Sequence, residues 1–368
     1  MTNGAGPPGG RDSYFPPRRD HNGFVVELLV LRMRPSFGLN HLFTAALALL
    51  ACFGTAAQTE TSAGAGVIVR LDPRFDTLVP AGATIEKLAD GFVFLEGPVW
   101  LREESRLLYS DLRGNAIYQW TMAEGPSDYV KPFFHGDGTG LRGVGPNGVA
   151  LDAEGRLLVC VYGSRSVVRL EKDGTFTPLA ERFEGKRLNS PNDLVVARDG
   201  TVYFTDPSFG LEGMDTSPLR ELTFNGVYRL RPTGELTLLT REQERPNGLV
   251  LSPDESILYV ANSGGAVTGW MAYDLGPAGL SNKRVFFDVT GVEGLGGADG
   301  MKVDLAGNVY ATGPGGVWII SPDGTHLGTI RPDEALTNVG WGDDGRTLYI
   351  TGRTTLYRIR LSARGAVQ

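Results

Sequence analysis

Asn192-Asp193-Leu194-Val195-Val196-Ala197-Arg198-Asp199-Gly200-Thr201-Val202-Tyr203-Phe204-Thr205-Asp206 is the stretch that decides how this chain folds. It reads as a polar head, a short apolar strand, a tight Asp-Gly turn and a second strand rich in β-branched and aromatic residues. The same order recurs behind Asn147, Asn247 and Asp299, and more loosely behind Glu96 and Asn338; the six heads lie 51, 45, 55, 52 and 39 residues apart. A period of roughly 40–55 residues made of strand–turn–strand units is the sequence form of a propeller blade. One such sheet cannot bury its own faces, so blades stack radially. Six copies imply an all-β chain, a six-bladed β-propeller with four-stranded antiparallel blades. A β-sandwich with coincidental Asp-Gly turns is the competing reading, and six copies in phase argue against it.

Working outward, the turns are marked by Asp152 to Gly155, Asp199-Gly200, Asp304 to Gly307 and Asp344-Gly345, with Asp173-Gly174 and Asp323-Gly324 at outer-strand turns. These carboxylates accept hydrogen bonds from their own turns and are structural. The 51 glycines fit such a turn-rich chain. The longer, polar connection from Gly210 to Asn225 reads as a loop or lid over one face. The isolated strand Val67–Leu71 is expected to close the ring by pairing with the blade that contains Thr355–Ile359, which removes free sheet edges. The propeller is therefore expected over residues 67–365, with 58–66 as a short linker.

The N-terminal region has a different character. Residues 1–32 are polar and Pro/Gly-containing, and read as disordered or untranslated. From Met33 a basic Arg34, an apolar run from Leu42 to Phe53 and the small residues Gly54 to Ala57 follow in the order of a secretory signal peptide over 33–57. The apolar run is too short to span a bilayer. Leu49-Leu50-Ala51-Cys52 offers an alternative, a lipoprotein box with a lipid anchor at Cys52. Either reading takes the mature chain out of the cytoplasm, to the periplasm or beyond. Cleavage after Ala57 leaves Cys160 as the one cysteine, without an internal disulfide, and its strand setting marks it as a small buried hydrophobe. The formal net charge is −7, and the leader holds five Arg against Asp12, Asp20 and Glu27, so the mature chain sits near −9. That acidity argues against nucleic acid and anionic membranes as partners.

Blade geometry gives the heads their interest. The first strand of each blade lines the central channel, so residues in the same slot converge at one end of it. Here the slot holds Glu96, Asn147, Asn192, Asn247, Asp299 and Asn338. Two carboxylates and several amides meeting there repel and lack partners unless something neutralises them. A hard divalent cation does so, and Ca²⁺ takes carboxylate and amide oxygens. No His or Cys cluster suggests a typical zinc site. The alternative is that Asn-Gly and Asp-Gly merely form turns; Glu96 resists it, since Glu has no turn preference.

At these residues the chain resembles a known family. Glu96-Gly-Pro-Val-Trp100, Ser190-Pro-Asn-Asp193, Tyr203 to Gly210, Arg245-Pro-Asn-Gly-Leu249 and Ala298-Asp-Gly-Met301, in this order, resemble the SMP-30/gluconolactonase/luciferin-regenerating family over roughly residues 82–360. The resemblance implies a six-bladed propeller with one divalent metal, usually Ca²⁺ with Mg²⁺, Mn²⁺ or Zn²⁺ as alternatives, at the channel mouth. It implies hydrolysis of sugar lactones such as glucono-1,5-lactone or, in relatives, of organophosphate esters. Carried over motif by motif, it implies Glu96, Asn247 and Asp299 as ligands and Asn192 as a ligand or close neighbour. Asn147, Ser190, Asp193 and Asp206 are then substrate-side or supporting residues. Animal members carry an Arg at the position of Ser190, so the substrate contacts differ here.

Asp299 is the candidate general base, with direct nucleophilic attack as the other possibility. No Gly-x-Ser-x-Gly elbow supports a serine hydrolase. Of the four His, His21 and His41 fall in the leader, His135 reads as a surface or turn residue, and His326 is expected to be exposed. Two rivals remain: a non-catalytic propeller used as a binding module, and a related metal-dependent arylesterase or phosphotriesterase.

Overall fold

The computed structural model describes residues 59–366. The expected signal peptide over 33–57, Cys52 and the region before Met33 lie outside the described residues.

Six antiparallel four-stranded blades form a ring, and the fold is the six-bladed β-propeller read from the repeat. The blade headed by Asn192 consists of Leu194–Val196, Val202–Asp206, Gly226–Leu230 and Leu236–Thr240. The first strands of successive blades, such as Leu95–Leu101, Pro146–Leu151, Pro246–Leu251 and Leu336–Gly342, contact one another around the channel and are innermost.

Strand periodicity explains the core. Successive side chains point to opposite faces, and a blade buried on both faces must be apolar on both. Leu194, Val196 and Phe204 accordingly pack with Leu158 and Cys160 of the preceding blade. Val195 and Tyr203, one residue out of phase, pack with Leu249 and Val260 of the following blade. The other interfaces repeat the pattern, so the core is six wedges rather than one centre. Cys160 is fully buried in one wedge, and that burial raises its thiol pKa well above normal, as a structural thiol requires.

Ring closure departs from expectation. Gly66–Arg70 pairs with His326–Pro332, one blade earlier than the sequence suggests. Ile85–Asp90 is the strand that pairs with Thr355–Arg360 and completes the last blade. Its outer position explains why it was overlooked: the run Ile-Glu-Lys-Leu-Ala-Asp buries fully only Ile85, and Glu86 meets Arg358 at 2.8 Å across the pair. The expected linker is likewise a strand, Thr59–Ser62, added beyond Gly66–Arg70. Its side chains are all exposed and polar or charged, which suits the outermost edge of a sheet.

His326 also differs from expectation. It is half-buried, stacked on Trp318 with ring centroids 4.0 Å apart, and its Nε2 lies 2.9 Å from Thr329 Oγ1. Burial lowers its pKa to about 4, so the ring is neutral and packs as an aromatic.

Candidate active site

Backbone features bring the heads together. The inner strands break register at Glu96/Val99, Pro146/Val149, Pro246/Leu249 and Leu336/Asn338, bulges that re-aim the head side chains. Asn147-Gly148 and Asn247-Gly248 therefore lie inside strands, which removes the turn-former reading of these pairs. Their glycines serve close approach instead. A Cβ on Gly148 would sit 2.6 Å from Asp193 Cα, so only Gly lets these two blades meet there.

Hydroxyl donors then strap five of the six blade junctions. Ser110 Oγ donates to Asn147 O at 2.5 Å, Thr205 Oγ1 to Asn247 O at 2.8 Å and Thr312 Oγ1 to Thr337 O at 2.9 Å. Thr337 Oγ1 donates to Leu95 O at 2.7 Å, across the closure of the ring. Ser263 Oγ donates to Ala298 O, immediately before Asp299.

The side chains converge as the common slot requires. Asn338 Nδ2 donates to both Glu96 Oε2 and Asp193 Oδ2 at 3.3 Å, joining three blades at one point. Asn192 Nδ2 donates to Tyr162 Oη at 2.8 Å, and Asn247 Nδ2 to Ser263 Oγ at 2.9 Å. Asn147 Oδ1 and Asn247 Oδ1 are buried without a hydrogen-bond partner. Glu96 and the four Asn heads are buried, whereas Asp299 as a residue is half-buried.

The electrostatics are those of crowded, dehydrated acids. Burial and then the nearby Asp193 push the Glu96 carboxyl up to about 8, against weaker help from Asn338, Gly97 N–H and Lys302. Burial, then Glu96, then Asp193 raise Asp299 well above the carboxylate range, opposed by the Asn247 amide and Arg353. Asp193 is raised by burial despite Lys302 nearby and a 2.9 Å bond from Leu194 N–H. Three acids that resist ionisation while two amide oxygens lack partners form a cluster short of positive charge.

Oxygen donors only, some charged and some neutral, fit a hard cation of the Ca²⁺ kind. Among the described residues no group of three or more His, Cys, Asp and Glu is placed to hold a metal ion. Any site here therefore needs the amide oxygens, beside Glu96 and Asp299.

Ser190 and Asp206 belong to the wall. Ser190 Oγ donates to Pro207 O at 2.5 Å and accepts from Gly210 N–H at 2.9 Å. Asp206 accepts from the N–H groups of Asn189 and Ser190, both at 2.8 Å, and burial still raises it to about 7. Together they fix the loop that carries Asn192. The connection Gly210–Asn225 is tied down through Asp215, which accepts from Ser208 Oγ at 2.6 Å and pairs with Arg245 Nη1 at 2.7 Å and Arg220 Nη1 at 3.0 Å. His135 is exposed.

Tyr162 and Ser263 escaped the sequence reading. A signal for them existed: each blade has a hydroxyl next to the last residue of its second strand, before it at Ser110, Thr205, Thr312 and Thr351 and after it at Tyr162 and Ser263. These residues repeat with the same period as the heads.

Residues 94–354 match the SMP-30/Gluconolactonase/LRE-like region. The chain belongs to this family. It is 37% identical over 314 residues to a gluconolactonase of Zymomonas mobilis subsp. mobilis, covering 82% of this chain and 87% of that protein. It is 28% identical over 265 residues to a pentonolactonase of Haloferax volcanii, with coverages of 70% and 80%. A solved gluconolactonase from Xanthomonas campestris superposes with a TM-score of 0.72 at 32% identity, covering 82% of this chain and 97% of that one.

Proposed function

We propose that this SMP-30/gluconolactonase-family lactonase holds one divalent cation, Ca²⁺ by its donor chemistry, at the ring of heads and opens sugar lactones such as glucono-1,5-lactone to the hydroxy acid. The enzyme class rests on the family relation. The cation rests on one observation: two buried amide oxygens without partners stand beside carboxylates that burial and mutual repulsion keep from ionising.

Glu96, Asn192, Asn247 and Asp299 are the residues that would hold the cation, with Asn147 beside them. Its chemistry when bound is that of a Lewis acid for the lactone carbonyl. The chain's own residues do the rest. Asp299, the half-buried head, would be ionised with a cation beside it, and as a carboxylate it takes the proton from the attacking water and returns it to the ring oxygen as the ester C–O bond breaks. Water and lactone thus yield the hydroxy acid with no other reactant. Asn338 keeps Glu96 and Asp193 in place, and the loop Gly210–Asn225, pinned by Asp215, walls the approach. Among the described residues no helix is long and apolar enough to cross a membrane. The order of residues in 33–57 supports export to the periplasm or beyond.

The test is acid release from glucono-1,5-lactone by purified protein, before and after chelation, with Ca²⁺, Mg²⁺, Mn²⁺ and Zn²⁺ restored one at a time. Activity lost on chelation and regained with one of them is expected. Full activity after exhaustive chelation rules the cation out.

A further inference from the structure

Asparagine is an ambiguous ligand: one end of its amide is an oxygen that accepts, the other an NH₂ that only donates. A ring of Asn heads therefore requires that something decide which end faces the centre. The hydrogen bonds at the three Asn heads of blades three, four and six give two different answers. At Asn247 the NH₂ end donates to Ser263 Oγ at 2.9 Å and also supports the Asp299 carboxyl, and Oδ1 is left buried and bare. At Asn192 the NH₂ end donates to Tyr162 Oη at 2.8 Å, which turns the amide oxygen the other way. At Asn338 the arrangement is reversed. Its Oδ1 accepts from Val339 N–H at 2.9 Å, and its NH₂ end reaches Glu96 and Asp193.

We propose that Ser263 and Tyr162 are positioning residues that fix the amides of Asn247 and Asn192 with their oxygens toward the cation site, while Asn338 is held the opposite way as a carboxylate donor. Both hydroxyls come from the end of a second strand, but they act differently. Ser263 serves the head of its own blade, and its proton is committed to Ala298 O, so toward Asn247 it can only accept. Tyr162 serves the head of the next blade. Its Oη accepts from Asn192 Nδ2 at 2.8 Å. Each acts through a ligand, as the hydrogen-bond partners of metal ligands generally do. The inference rests on the cation reading above.

The experiment is calorimetric titration of the metal-free protein with Ca²⁺, together with melting curves in chelator. Ser263→Val, which has no hydroxyl, is expected to weaken Ca²⁺ binding roughly tenfold to a hundredfold. Ser263→Thr, of the same shape but with the hydroxyl, should hold affinity within about threefold, allowing for one added methyl. Ser263→Val also gives up the bond to Ala298 O, so its melting temperature in chelator should fall below that of Ser263→Thr, and separating that loss from orientation needs a further background. Asn247→Asp supplies the decisive background. A carboxylate presents oxygen whichever way it turns, so Ser263→Val should cost little there. Equal losses in the Asn247 and Asp backgrounds would mean that Ser263 acts only by holding the Ala298 backbone, and would overturn the proposal. So would wild-type affinity in both Ser263→Val and Tyr162→Phe, even with the cation site intact. If the wild-type protein binds none of the four cations tested, the cation reading itself fails and this inference falls with it.

Discussion

The two ends of the blades use the same residues for opposite purposes. At the turn end, Asp173, Asp323 and Asp344 accept from the N–H two residues on, at 3.0, 3.0 and 3.1 Å. Their pKa values are lowered, first by side-chain partners: Thr175 for Asp173, Ser321 for Asp323 and Arg360 for Asp344. At the head end, Glu96, Asp193 and Asp299 are raised, first by burial. Asp-Gly at 323 and Asp-Gly at 299 are indistinguishable as dipeptides. Burial alone does not mark the site, since the turn residue Asp304, with its partners complete, is raised by burial too; what distinguishes the heads is several raised carboxyls crowded together near amide oxygens without partners.

Breaking the comparison at its strongest point gives the largest expected effect. Asp299→Asn should lower kcat/KM for glucono-1,5-lactone by about a thousandfold, within the range for removing a general base. Asp323→Asn, the same change at the turn end, should leave it within about twofold. Steady-state acid release from both variants is the check. A comparable loss at both positions would show that the head carboxylates are no more than structural.

The second effect is a dependence on pH. Unfolded, Glu96 releases its proton near its ordinary 4.5; folded and metal-free, it holds it to about 8. Between those values the unfolded chain binds fewer protons than the folded one, so metal-free stability falls as pH rises, by at most about 1.4 kcal/mol per pH unit for one such group. A bound cation takes the carboxylate form and removes the effect. Melting temperatures in chelator should therefore drop between about pH 5 and about pH 8, and the gap to the Ca²⁺-loaded protein should widen toward alkaline pH. A gap that narrows as pH rises would contradict the charge deficit inferred for the heads.

How much of this was legible in the sequence follows from what repeats. The blade count and the head slot were legible because each blade restates them, and a pattern seen six times outweighs any local ambiguity. The closing strand was not, because Ile85–Asp90 stands outside the repeat and buries too little to show an apolar period. The environment of His326 depends on Trp318 and Phe287, which meet it only after strands pair. Ser190 was readable as a departure from its relatives but not as a wall residue, since its partners Pro207 and Gly210 lie across a loop. Amide orientation at Asn192, Asn247 and Asn338 is beyond any motif, because the deciding atoms come from other strands.

Asp215 sharpens the comparison from between the two classes, and the expected effect is the smallest. It lies on the head side, joined to Arg245 two residues before Asn247, so position alone would group it with the active carboxylates. Its electrostatics say otherwise. Burial raises it, but Ser208, Asn225, Arg245 and Arg220 together bring it below the usual range, as at the turn end. It should therefore act as a clamp on the Gly210–Asn225 loop and not as an acid or base. Asp215→Asn keeps the shape and much of the hydrogen bonding but gives up the ion pairs, which for partly exposed partners are worth about 1 kcal/mol or less. The loop should loosen while the heads stay in place, raising KM by about twofold to fivefold with kcat nearly unchanged, in parallel with a faster proteolytic nick within 210–225. If kcat fell and KM did not, Asp215 would have to be counted with Asp299, and partner satisfaction would no longer separate the scaffold from the site.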